Sequence, residues 1–302
     1  MIMKSPWTAA IRAMRPHQWA KNLLVFVPMV LAQKYGIDTI TQASLAFLGF
    51  CACASAVYLL NDMLDVQSDR LHPRKRNRPF ANGTLQMPFG IALVALLTLI
   101  ALAVASLVNP RCGALLAGYF AANVLYSTWL KSQPLLDVIM LSGMYGLRLE
   151  TGAVATNTPL SPWLLAFALF FFTSLAFAKR YVELRQLEAA GAAETSGRGY
   201  RVADASLIES LGPASGYVAV LVLALYMNSD QMHAIYGDGR LLWLLCPLVL
   251  YWVTRVWLLA KRGELDDDPV VFALRDKTSL VVALLAAALI AAATIAARGG
   301  AG

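Results

Sequence analysis

The feature that most limits what this chain can fold into is its succession of long apolar runs, such as IALVALLTLIALAVASLV at 91–108. About 20 predominantly apolar residues span a bilayer as a helix, because each backbone N–H and C=O must find its partner within the segment. Nine such segments are centred near 23–33, 43–60, 88–108, 112–128, 135–156, 161–178, 213–229, 240–259 and 278–297. Of 302 residues, 59% are hydrophobic and 14% charged, against roughly 25% charged in an average soluble domain. The expectation is an all-α integral membrane protein of about nine transmembrane helices, one domain over residues 1–302. The first segment is the weakest, being short and holding Pro28, although an amphipathic stretch with Trp7, Ile11, Met14 and Trp19 leads into it from the interface. No small-residue cleavage site follows a short apolar core, so no cleavable signal peptide is expected.

The cations set an orientation. With the N-terminus in the cytoplasm, inner segments hold Lys4, Arg12, Arg15, Lys21, Arg70, Arg74, Lys75, Arg76, Arg78, Lys131, Lys179, Arg180, Arg185, Arg198, Arg201, Arg255, Lys261, Arg262, Arg275 and Lys277. Outer segments keep only Lys34, Arg111, Arg240 and Arg298, and Arg148 lies within a span. This bias follows the positive-inside rule and favours an odd number of spans, with the long polar connections 61–87, 179–212 and 260–277 all inside. The formal net charge of +7 therefore reflects topology and anion binding rather than nucleic acid. An inner (cytoplasmic) membrane location follows.

Cysteine and histidine usage closes off other chemistries. Cys51, Cys53, Cys112 and Cys246 fall in apolar spans without a second cysteine pair, which reads as packing rather than zinc or disulfide. His17, His72 and His233 are scattered, which argues against a histidine metal site or a Ser-His-Asp triad.

Against that background the stretch NDMLDVQSDRLHPRKRNRP at 61–79 is dense in charge. If the second helix continues through it, Asp62, Asp65 and Asp69 share an arc of about 60° with Asn61 at its border. Like charges at these spacings repel, so a cation is expected among them. All-oxygen ligands favour a hard ion, and Mg²⁺ takes one or two carboxylates plus waters and phosphate oxygens. The following basic residues Arg70, Arg74, Lys75 and Arg78 suit the rest of a diphosphate. The alternative is a charged helix end with internal salt bridges in a positive-inside loop.

NDMLDVQSDRLHPRKRNRPFANG resembles the first aspartate-rich motif of the UbiA superfamily of intramembrane prenyltransferases, and YSTWLK at 126–131 resembles that family's Tyr/Lys motif. MRPHQWAKNLLVFVP, LKSQPLLDV, AFAKRYVELRQL and DDPVVFALRDKTSL resemble its phosphoribosyl diphosphate-using branch, the decaprenyl-phosphate phosphoribosyltransferases. The resemblance implies a UbiA-like bundle with a polar cavity on the cytoplasmic side, and Mg²⁺ on Asn61, Asp62, Asp65 and Asp69. It also implies substrate contacts by Lys21, Tyr126, Lys131 and Asp137. Where aromatic prenyltransferases carry a second D-x-x-x-D motif, this chain has KRYVELR, with Lys179, Arg180, Glu183 and Arg185 as candidate ligands of a sugar or lipid phosphate.

Other positions carry two readings. Arg148 lies in the fifth span, where charge costs about 2.5–3.5 kcal/mol on insertion scales; it reads as a substrate-binding or a structural residue. Glu150 points away from it. Ser142 and Gly146 form a small-x-x-x-small pair expected to pack closely. Asp137 can cap its helix or meet ribose hydroxyls. Asp268 before Pro269 has the form of an N-cap, with substrate contact by Asp268, Arg275 or Asp276 as the rival.

The expected activity is Mg²⁺-dependent transfer of 5-phosphoribosyl from phosphoribosyl diphosphate to a polyprenyl phosphate, with Asp62, Asp65 and Asp69 as catalytic residues. Two alternatives remain: a prenyltransferase moving a prenyl group from prenyl diphosphate to an aromatic acceptor, and a non-catalytic lipid-binding or transport protein. The expected partners are phosphoribosyl diphosphate, the lipid phosphate and the membrane, with a homo-oligomer left open.

Overall fold

The computed structural model describes residues 6–71, 75–191, 198–237, 239–265 and 268–299, and among these the regular structure is entirely helical. The helices are α1 Pro6–Met14, α2 Val27–Leu31, α3 Ile37–Leu64, α4 Val66–Leu71, α5 Met87–Val108, α6 Pro110–Thr128, α7 Leu136–Ala155, α8 Pro162–Ala189, α9 Ala205–Met227, α10 Asp230–Tyr236, α11 Leu245–Arg262, α12 Pro269–Ala273 and α13 Lys277–Gly299. Helix starts follow local chemistry. Asn109 caps α6 by accepting from the Arg111 N–H at 2.9 Å, with Pro110 in the first turn, where its missing N–H is not needed.

Among the described residues, six segments are long and apolar enough by length and composition to cross a membrane: α3, α5, α8, 202–227 with α9, 240–262 with α11, and α13. The all-helical membrane architecture agrees with the expectation, while the count of nine spans is not confirmed. The helices α6 and α7 have 19 and 20 residues, but Asp137, Arg148 and Glu150 make α7 more polar. The first expected span is a 3-10 stretch, Pro16–Phe26, followed by the five-residue α2; at about 2.0 and 1.5 Å per residue the two together cover about 30 Å. Helices α5 and α13 leave Ile91, Leu99, Leu107, Leu284 and Ile295 exposed, side chains that lipid covers in an integral membrane protein.

Two helices run further than the apolar pattern indicated. Helix α3 reaches Leu64, taking in Asn61 and Asp62. Helix α8 reaches Ala189, so Lys179 to Arg185 are helical rather than part of a loop. Both extensions consist largely of good helix formers.

The chain falls into two units, 1–129 with 147–159, and 130–146 with 160–302. In the first, α3 packs on α5 and α6 through small residues: Ala43, Ala46, Cys53 and Ala56 of α3 meet a core with Ala101, Ala105, Cys112 and Leu116, all fully buried. In the second, α8 packs on α9, and both meet α11, whose Trp257 Nε1 donates to Ser174 Oγ at 3.0 Å.

Close packing on α7 is not where the Ser142–Gly146 pair placed it. A Cβ on Gly146 would meet nothing within 4 Å, whereas one on Gly152 would come within 2.0 Å of the Val25 carbonyl oxygen. Ser142 instead bonds Thr173 Oγ1 at 2.9 Å.

Candidate functional site

In the first unit the acidic turn is helical on both sides of a break at Asp65. Helix α3 ends at Leu64 and α4 starts at Val66, while the Asp65 N–H donates to the Asn61 carbonyl at 2.9 Å and the Asp69 N–H to the Asp65 carbonyl at 2.8 Å. The i→i+4 bonding therefore carries Asp62 and Asp69 onto one side, as the spacing required.

Both of these carboxylates are buried, each 2% exposed. Two guanidiniums compensate them. Arg15 Nη2 donates to Asp62 Oδ1 at 2.5 Å, and Arg78 Nη1 lies 3.2 Å from the same oxygen and 2.7 Å from Asp69 Oδ2. One cationic nitrogen thus bridges carboxylates seven residues apart, and the group of four is formally neutral. Burial of unpaired charge would be very costly, so this pairing is what allows the acids to sit inside. Arg15 also lies over the Tyr58 ring, 5.0 Å from its centroid, and holds a left-handed φ of 53°. Arg15 entered the sequence reading only as a topology cation. It lies 47 residues from Asp62, and no local pattern announces the contact.

The neighbouring expected residues divide. Asn61 Oδ1 accepts from the Ser127 hydroxyl of α6, another contact the sequence did not signal. Asp65 is half-buried. Arg70 Nε donates to the Ala81 carbonyl at 3.2 Å, folding back on the loop. Lys75 is exposed, Lys21 and Tyr126 are half-buried, and Arg74 lies outside the described residues.

Among the described residues no group of three or more His, Cys, Asp or Glu side chains is gathered as a metal-binding set. Of the three expected carboxylates, Asp62 and Asp69 are buried and share Arg78, while Asp65 is half-buried at the break between α3 and α4. The Asp62–Asp69 pair fits a hard ion such as Mg²⁺, which takes one or two carboxylates and completes its shell with water and phosphate, and Arg78 Nη1 already shows a cation spanning both.

Arg148 is 5% exposed, with polar and aromatic groups around it. Its Nε donates to Asn22 Oδ1 and its Nη2 to the Tyr119 hydroxyl, both at 2.9 Å. Its guanidinium also lies 4.9 Å from the Tyr119 ring centroid and 5.7 Å from that of Phe50. These contacts are the ones the structural reading of Arg148 requires. Glu150 is half-buried. Cys51, Cys53 and Cys112 are buried and unlinked, in keeping with a packing role.

In the second unit Asp137, 0% exposed, accepts from Arg180 Nε at Oδ2 and from the Tyr200 hydroxyl at Oδ1, both at 2.7 Å. Arg180 also bonds Glu183, whose carboxylate accepts from Arg198 Nη1 at 2.9 and 3.1 Å. The Leu135 N–H donates to the Tyr200 oxygen at 2.8 Å. Burial, and then the bond to Asp137, push the Tyr200 phenol above its ordinary value, so it stays a donor. Gly199 holds a φ of 65°, and a Cβ there would come within 2.5 Å of the Ser132 carbonyl oxygen.

Asp137 and Arg180 are thus joined to each other. Lys179 Nζ is 4.0 Å from Asp268 Oδ2, and Arg185 pairs with Glu188 at 2.5 Å on an exposed face. Lys131 is half-buried in the 3-10 turn Leu130–Ser132. Asp268 caps α12 as its spacing indicated, accepting from the N–H groups of Val270 and Val271 at 3.1 and 3.3 Å.

With this geometry in place, likeness to known proteins narrows the reading. The profile of the UbiA prenyltransferase family matches residues 22–275. The nodulation protein NoeC of Azorhizobium caulinodans is 37% identical over 288 residues, covering 93% of this chain and 92% of that protein. A decaprenyl-phosphate phosphoribosyltransferase of Mycolicibacterium smegmatis is 38% identical over 187 residues, 60% of this chain and 59% of that enzyme. Among solved structures, a UbiA homologue from Archaeoglobus fulgidus bound to GPP and Mg²⁺ has a TM-score of 0.69 at 16% identity, over 94% of this chain and 99% of that one.

Proposed function

Because the chain belongs to the UbiA prenyltransferase family, we propose that it is a transferase moving 5-phosphoribosyl from phosphoribosyl diphosphate to a polyprenyl phosphate, with release of diphosphate. The observation that carries this reading is the 38% identity, over 187 residues, to a decaprenyl-phosphate phosphoribosyltransferase. The basic residues near the C-terminal end of α8 support it. Lys179, Arg180 and Arg185 stand where a prenyl diphosphate-using relative of the aromatic type would carry a second acidic motif, and cations suit a reaction with several phosphate groups.

A lipid phosphate oxygen attacks C1 of the ribose while the bond from C1 to diphosphate oxygen breaks, and diphosphate departs with the electron pair. Attack opposite the leaving group inverts the anomeric centre. The nucleophile is ionised near neutral pH, so the protein need supply no strong base. Arg15 and Arg78, now bonded to Asp62 and Asp69, are the groups placed to donate to diphosphate oxygens. Asp62 and Asp69 are the residues that would hold Mg²⁺, with Asn61 and Asp65 flanking them; when bound there, the ion supplies positive charge that stabilises the leaving diphosphate. Lys131, Lys179 and Arg185 are proposed as ligands of the sugar or lipid phosphate. The acidic turn faces the cytoplasm in an inner membrane, an orientation supported by the distribution of cations.

The test is a membrane assay with Mg²⁺ and polyprenyl phosphate, given labelled phosphoribosyl diphosphate in one arm and labelled prenyl diphosphate with an aromatic acceptor in the other. Lipid-linked phosphoribose detected by mass, with the α or β configuration opposite to that of the donor, is the expected product. Label transferred only in the prenyl arm would overturn the proposal.

A further inference from the structure

The 3-10 stretch Pro16–Phe26 is 11 residues long, whereas runs beyond three or four residues are uncommon because their hydrogen bonds are poor. Something outside the stretch must hold it. With three residues per turn, Trp19, Asn22 and Val25 fall on one side, which meets α3 and α7. Asn22 Nδ2 donates to Cys51 Sγ at 3.4 Å, and Trp19 Nε1 donates to Ser55 Oγ at 3.0 Å. Just before the stretch, Arg15 lies over Tyr58 and donates to Asp62. The partners Cys51, Ser55, Tyr58 and Asp62 advance by one helical turn at a time along α3. The N-terminal stretch therefore runs antiparallel to α3, fastened at successive turns, and Arg15 is the last fastening, on the acid proposed to hold the metal.

Register along this track is set from α7. Arg148 Nε donates to Asn22 Oδ1, and four residues on, Gly152 lets the Val25 carbonyl approach to where a Cβ would stand. Arg148 is itself held by Tyr119 of α6, through a hydrogen bond and the ring face. Asn22 is 0% exposed, so its amide cannot exchange these partners for water.

We propose that Arg148 is a positioning residue. Through Asn22 it fixes the register of the 3-10 stretch on α3, and so places the Arg15 guanidinium at Asp62, where it meets the donor diphosphate; this last step rests on the functional reading above. In this role Arg148 acts through Asn22 and Arg15 rather than on the substrate, so its buried charge has a structural purpose with a kinetic consequence.

The experiment compares full-length wild type with Arg148→Met, Asn22→Ala, Arg15→Ala and the double variant Arg15→Ala/Arg148→Met. Asn22→Ala is the gentler second route should the loss of Arg148 impair folding. Hydrogen exchange by mass spectrometry, which needs no activity, is expected to accelerate in peptides covering residues 16–26 in Arg148→Met and Asn22→Ala, with α9 and α11 unchanged. The KM for phosphoribosyl diphosphate should rise about tenfold in each single variant, more than kcat falls, since one charge-assisted hydrogen bond is lost. In the double variant KM should match that of Arg15→Ala alone. Unchanged exchange over 16–26, or KM effects that multiply in the double variant, overturns the proposal. If wild type proves inactive with phosphoribosyl diphosphate while the exchange change is present, the functional reading fails and the positioning of the stretch by Arg148 stands.

Discussion

Arg180 and Asp137, 43 residues apart in the chain, form an ion pair at 2.7 Å in which both side chains are almost completely buried. Tyr200 supplies the second bond to the carboxylate, so neither charge is left uncompensated. Breaking such a pair by removing one partner typically costs about 3–5 kcal/mol. Asp137→Ala, which takes the buried partner from the guanidinium and leaves it bonded to Glu183, is expected to lower the melting temperature sharply. The double variant Asp137→Leu/Arg180→Met should melt above it, because no buried charge remains. Scanning fluorimetry of purified protein checks the order.

At the acidic turn, Asp62→Asn keeps shape and hydrogen bonding but removes charge. Transfer is expected to fall by about 10²-fold or more, in protein that still elutes and melts like wild type. Asp69→Asn and Asp65→Asn should show the same direction. Chelation of divalent ions should abolish transfer in wild type, and added Mg²⁺ should restore it. Full activity of Asp62→Asn in the presence of chelator would remove the acidic turn from the mechanism.

Tyr200 gives a pH prediction whose sign is fixed. Its phenol titrates above the ordinary tyrosine value in the folded state, so its contribution to stability is fully present below the unfolded value of about 10. That contribution is lost as the pH climbs past it toward the folded value. Between pH 7 and 9 this group should leave the melting temperature unchanged. Above about pH 10 wild type should lose stability more steeply than Tyr200→Phe.

Gly199→Ala combines a left-handed φ of 65° with a clash of the new Cβ against the Ser132 carbonyl oxygen at 2.5 Å. A loss of about 1–3 kcal/mol is expected. Faster proteolysis within 198–201 is the accompanying readout. Gly83→Ala, with φ of 78° and nothing within 4 Å of the new Cβ, should cost less.

Legibility in the sequence followed the range of the interaction. Apolar runs located α5 and α7 to within a residue or so, since the ends of a long apolar helix are written directly in hydropathy. The cap of α12 was visible because Asp268 and the N–H donors it accepts from lie within three residues. The seven-residue spacing of Asp62 and Asp69 was equally visible, because helical periodicity carries it. What closes the site was not. Arg15, Ser127 and Tyr200 each reach their partners across 47, 66 and 63 residues, and no period links them. The conformation of the first apolar segment was not legible, because hydropathy does not tell a 3-10 stretch packed against α3 from an α-helix. Arg148 stood out as an anomaly, but its partner Asn22 lies 126 residues earlier.

The stretch from Arg15 to Asn22 behaves as a ruler. Seven residues at about 2.0 Å each cover about 14 Å, close to the roughly 16 Å that separates Cys51 from Asp62 along α3 at 1.5 Å per residue. The long arginine side chain spans the remainder. Inserting a single residue between Arg15 and Asn22 rotates one end against the other by about 120°, which turns the guanidinium away from the acid. Substitutions on the outer side of this segment are therefore tolerable to its task, while any change in its length is not.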